Sequence, residues 1–109
     1  MRNYNKKIVD GTWITFPEDK EVQIKIKPFS LFSMIKDPNN ESYNAETFWA
    51  IFNHIVLDWK GVQSDGKKLE CNEENKKFVF DFDQPIALFV INESSAMRTQ
   101  IISEKELKN

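Results

Sequence analysis

Apolar positions along the chain repeat with two different periods, and each period predicts a different element. Ala45, Phe48, Trp49, Ile51, Phe52, Ile55, Val56 and Trp59 share one side of a helix at ~100° per residue, with Glu46, Thr47, Asn53, His54 and Asp58 opposite. The spacing predicts a central amphipathic helix that ends at Trp59, with Ser42 or Asn44 as its N-cap. Upstream, Val22, Ile24 and Ile26 alternate strictly with Gln23, Lys25 and Lys27, and Thr12 to Phe16 is a β-rich run stopped by Pro17. With Pro17-Glu18-Asp19-Lys20 as the turn, this predicts an antiparallel β-hairpin with one packed face and one wet face. Phe29 to Lys36 reads as a short helix, closed by Asp37-Pro38-Asn39-Asn40 and followed by a loop to Asn44.

Downstream of the central helix, Trp59-Lys60-Gly61-Val62 and Leu69 flank Ser64-Asp65-Gly66. Asp-Gly accepts positive φ at little cost, so this stretch predicts a small β-ribbon. Asn72 is placed to cap a helix whose first turn carries Glu73 and Glu74 and which runs to about Phe80. Asp81-Phe82-Asp83-Gln84-Pro85 interrupts it, and Pro85 opens a last helix capped by Asp83 or Gln84 and extending to Ile102 or beyond. The expected fold is therefore α+β: an N-terminal antiparallel β-hairpin, a central amphipathic helix, a small β-ribbon and two C-terminal helices. The 109 residues fit a single domain, residues 1–109, with 1–7 and 103–109 frayed.

The last helix carries two apolar stripes. Ile86, Phe89, Val90, Met97 and Ile101 form one, while Leu88, Ile91 and Ile102 form a second on roughly the opposite side. Such a helix is either sandwiched between other elements or turns one side to a partner. Leu88, Ile91 and Ile102 are accordingly the candidate partner-binding residues.

Composition narrows the function classes. A net charge of −2 and a pI of about 5.4 leave no global positive field for nucleic acid, and the lysine pairs are dispersed among carboxylates. No apolar run approaches the ~20 residues of a membrane span, and MRNYNKKIVDG lacks the apolar stretch of a signal peptide, so a cytoplasmic location is expected. A single cysteine fits a reducing compartment.

The titratable residues suggest little chemistry. His54 is the lone histidine and sits on the polar helix face, and with one cysteine no Cys/His metal set can be assembled. Cys71 lies at a helix start, where a thiol pKa can fall, but no nucleophile motif surrounds it. Asp81 and Asp83, with Asp58 and Asp65, are the raw material of a metal-dependent nuclease, but the better reading is that Asp81 and Asp83 flank a helix break, where Asp caps and turns, and that Asp65 belongs to an Asp-Gly turn. Glycines are too scattered for a phosphate loop. The sequence reads as a non-enzyme, with no catalytic, cofactor or metal site.

One stretch carries a family resemblance. The pattern D-W-x-G-V, a short spacer, D-G-K-x-L and a polar helix start is met here at Asp58, Trp59, Gly61, Val62, Asp65, Gly66, Lys67, Leu69 and Asn72-Glu73-Glu74. It resembles the small tail assembly chaperones of long-tailed bacteriophages and prophages, although Cys71 stands where those proteins have a small polar or Pro-Phe type sequence. The resemblance implies a non-enzymatic protein that keeps the tape measure protein soluble and helps recruit tail tube subunits. The alternative expectation is a structural head-tail or tail subunit, a homo-oligomer forming a ring or tube through an exposed strand edge at Glu21 to Lys27.

Overall fold

The computed structural model describes residues 1–30 and 44–102. The short helix expected over Phe29 to Lys36 falls mostly outside the described residues, as do Ser42 and the segment 103–109. After a 3-10 turn at Lys6–Asp10, strand β1 (Thr12–Thr15) and strand β2 (Gln23–Ile26) form the expected antiparallel hairpin. Its turn is closed by the Phe16 amide on the Val22 carbonyl at 2.9 Å and the Val22 amide on the Asp19 carbonyl at 2.9 Å. The alternation holds, with Val22, Ile24 and Ile26 buried.

Helix α1 (Ala45–Ile55) starts where Asn44 accepts a hydrogen bond from the Thr47 amide at 2.9 Å. It ends one turn earlier than the periodicity predicts. Val56–Lys60 is not the last helical turn but strand β3, paired antiparallel with β2 in a sheet ordered β1-β2-β3. The error has a geometric source. Ile26 pairs with Val56 and Lys25 with Asp58, so Leu57 is an extra, bulged residue. A bulge puts Val56 and Trp59, three residues apart, on the same buried face, and this imitates helical spacing.

The register sorts the sheet into two faces. Ile14, Ile24 and Trp59 form one rung and Thr12, Ile26 and Val56 another on the core side, while Trp13, Lys25 and Asp58 face outward. Because β2 lies between β1 and β3, the segment Glu21 to Lys27 is not an available edge; among the described residues the outer strands are β1 and β3.

The ribbon forms as expected from β4 (Gln63–Ser64) and β5 (Lys67–Lys68), turning through Asp65 and Gly66 at φ 53° and 76°. Helix α2 (Glu73–Phe82) is capped by Asn72, whose side chain accepts from the Asn75 amide at 2.9 Å. It runs through Phe82 rather than stopping near Phe80. Asp83 ends α2 and caps helix α3 (Gln84–Met97), with Pro85 in the first turn of α3.

Helix α3 packs against α1, α2 and β2, and buries Ile86, Ala87, Val90, Ser94 and Met97. The Phe89 ring meets that of Phe16 with centroids 5.5 Å apart. The helix does not reach Ile102. It gives way to a 3-10 turn at Arg98–Gln100, and Ile102 forms a β-bridge with Tyr4. Within the stretch 1–7 expected to fray, Asn5 also donates its amide to the Ile101 carbonyl at 2.7 Å.

Candidate functional site

The three residues grouped by the second apolar stripe are separated by the fold. Leu88 is 51% exposed on α3. Ile91 is half-buried and packs against the core. Ile102 lies beyond the helix in its bridge to Tyr4, so its helical spacing from Leu88 and Ile91 does not hold. Neighbouring elements cover most of the helix surface, and Leu88 remains the apolar side chain of the three that stands out from it.

A larger exposed apolar feature lies on α2. Its inward side is fixed by Val79 and Phe80, the latter against Trp49 at 5.6 Å and Phe52 at 5.5 Å between centroids. With that side inward, helical geometry turns Phe78 and Phe82 outward, four residues apart and one turn above the other. They are 61% and 75% exposed, and their rings pack on each other with centroids 5.0 Å apart. Ring pairing removes part of this apolar area from water but leaves most of it open.

These rings border a cleft of about 640 Å³ between α2 and the β4–β5 ribbon. Val62 and Leu69, both packed against the core, supply its apolar floor. The ribbon wall is fixed by Trp59, whose indole N–H donates to the Leu69 carbonyl at 2.7 Å, and by the Leu69 amide, which donates to the Val62 carbonyl at 2.9 Å. The D-W-x-G-V and D-G-K-x-L residues thus build the wall and its turn, while the phenylalanines lie outside that pattern. The signal for them was available, because Phe78 and Phe82 at i and i+4 are a second apolar stripe on α2 beside Val79 and Phe80.

The titratable candidates occupy ordinary structural places. His54 is exposed, and partial burial, Lys27 and Lys76, in that order, lower its pKa. Cys71 is half-buried, in keeping with a structural cysteine. Its helix-start position does not activate it; burial pushes the thiol up to about 11, against a smaller opposing effect of Lys76. Asp81 pairs with Lys77 at 2.8 Å on an exposed helical turn, Asp83 caps α3, and Asp65 forms the ribbon turn. No group of three or more His, Cys, Asp or Glu side chains able to hold a metal ion occurs among the described residues. Neither is any described helix long and apolar enough to cross a membrane.

No protein-family model matches this chain, and neither a curated protein nor a solved structure matches it.

Proposed function

We propose that this chain is a tail assembly chaperone of a long-tailed bacteriophage or prophage, working in the bacterial cytoplasm by binding rather than by chemistry. Its clients are the tape measure protein, whose long helices expose apolar faces before the tail polymerises, and the tail tube protein. The observation that carries the binding reading is the Phe78–Phe82 pair, large apolar rings left open beside a cleft in a small domain. The choice of client rests on the resemblance of the Asp58 to Leu69 stretch to that family. A helical client fits the site physically, because an amphipathic helix lays anchors at i, i+3 and i+4 into an apolar groove.

The test is co-expression of the protein with the tape measure and tail tube proteins of its own phage, reading the soluble fraction of the tape measure. The chaperone reading expects the tape measure to become soluble and to co-purify, and a loss of both with Leu88→Asp or Phe82→Ser in a folded protein. A tape measure that stays insoluble beside abundant folded protein overturns it.

A structural-subunit reading has its own supporting observation, the outer strand β1 (Thr12–Thr15), which ends the sheet among the described residues. It requires the purified protein to assemble into rings or tubes, which Thr15→Pro, by denying a strand amide to an added neighbour, would dissolve.

A further inference from the structure

We infer that the cleft between α2 and the β4–β5 ribbon takes a basic amphipathic helix from another protein, with Phe78 and Phe82 as apolar anchors and the carboxylates around them selecting Lys or Arg. The inference rests on the protein-binding reading above and specifies its surface and its partner's chemistry.

The argument is one of charge as well as apolar area. Among the groups lining the cleft, Glu74, Asp81 and Asp83 bear carboxylates and Lys77 bears the ammonium. Of the α2 lysines, Lys77 offsets one of those carboxylates, Asp81, and Lys76 is not part of the lining, so Glu74 and Asp83 carry the excess. Lys77 is tied to Asp81 at 2.8 Å and lies 5.3 Å from the Trp49 ring, on the α1 side of the helix. The Lys76 ammonium is turned inward onto the Asn53 and Val56 carbonyls at 2.8 and 3.2 Å. The Glu74 carboxylate makes no hydrogen bond or ion pair among the described residues, and it shares the outward face with Phe78, one helical turn on. The cleft therefore presents apolar rings beside an excess of negative charge. An acidic or uncharged apolar segment would meet repulsion or unmatched carboxylates there, whereas Lys and Arg bury their stems along the rings and bring their charges to the rim.

The probe is a pair of helical peptides of about 18 residues, long enough to hold a helix, with the same Leu/Ala face and with either Lys or Glu on the polar side. Binding is followed by backbone amide NMR shifts of the full chain. The Lys peptide is expected to shift Val62, Leu69, Phe78 and Phe82 and to bind at least about tenfold more tightly than the Glu peptide, the gap narrowing as salt shortens the Debye length. Phe78→Ser and Phe82→Ser should each abolish binding with unchanged circular dichroism, and Glu74→Lys should weaken the Lys peptide about fivefold.

Equal binding of the two peptides, no binding of either, or shifts confined to another surface each overturn the inference. So does self-association of the protein that Phe78→Ser abolishes, since a second copy would then be the occupant. The two proposals fail separately. Wild-type protein that solubilises the tape measure but binds neither peptide at the cleft sinks the cleft and leaves the chaperone, while basic-peptide binding at the cleft without any effect on the tape measure does the reverse.

Discussion

The Lys76 ammonium lies 2.8 Å from the carbonyl oxygen of Asn53, so a side chain of α2 caps the C-terminal end of α1. The last carbonyls of a helix have no intrahelical partner, and α1 stops at Ile55 because its chain enters β3 there. A cation at that end satisfies the orphan Asn53 carbonyl, also reaches the Val56 carbonyl at the start of β3, and meets the negative end of the helix dipole.

Lys76→Met should therefore keep the packed stem and lose the cap. The expected loss is about 1.5–3 kcal/mol in urea unfolding, the range of a hydrogen bond to a charged group. A loss below ~0.3 kcal/mol would mean that water replaces the ammonium without penalty.

Gly61 and Gly66 both adopt φ 76°, yet they should respond differently to alanine. A Cβ on Gly61 would stand 2.1 Å from the Glu21 backbone oxygen, whereas one on Gly66 meets nothing within 4 Å. Gly66→Ala should cost about 1 kcal/mol for the left-handed conformation alone. Gly61→Ala should cost at least about 3 kcal/mol, because the β3 end must also move away from the hairpin. Thermal melts of the two variants side by side decide this.

Ser94 is fully buried on α3, and its hydroxyl donates to the Lys27 carbonyl at 2.7 Å, joining the last helix to the end of β2. Ser94→Ala should lose about 1 kcal/mol, since the carbonyl is left without this partner. Ser94→Val should lose more, about 2 kcal/mol, by adding volume to a filled site. Equal stability of wild type and Ser94→Ala in denaturant would show that the bond contributes nothing.

Cys71 should be a poor nucleophile. Its thiol is raised from an ordinary 9.0 to about 11, so near neutral pH a disulfide reagent should react far more slowly with the folded than with the urea-unfolded chain. The raised pKa also sets a sign for stability. Between 9.0 and about 11 the folded thiol holds its proton while the unfolded one releases it, so this contribution is intact below 9.0 and is lost as pH rises toward 11. A Cys71→Ser protein should show a shallower stability loss over that window.

Phe78→Ser and Phe82→Ser should leave stability within about 0.5 kcal/mol of wild type, because rings this exposed contribute little burial. Large destabilisation in denaturant would recast the pair as part of the core.

What the sequence by itself determined was the chemistry of short stretches. The Val22, Ile24, Ile26 alternation, the caps Asn44, Asn72 and Asp83, Pro85 at the start of α3 and the Asp65-Gly66 turn all work through neighbours one to four residues away. Their hydrogen bonds and dihedrals are local, and so they are legible without the fold. The tertiary structure decided what Val56 to Lys60 became. Those residues suit a helical turn or a bulged strand equally, and the free edge of β2, more than thirty residues earlier, supplied the partner that made them β3. The same distance effect separated Ile102 from Leu88 and Ile91 through its bridge to Tyr4, and committed Lys76 to the end of α1. Periodicity also named two faces of α3 as apolar without saying which would be covered. Packing against α1, α2 and β2 settled that, covering Ile91 and leaving Leu88 open, while Phe78 and Phe82 stayed open on α2, because burial depends on where neighbouring elements lie and not on the order of residues within one helix.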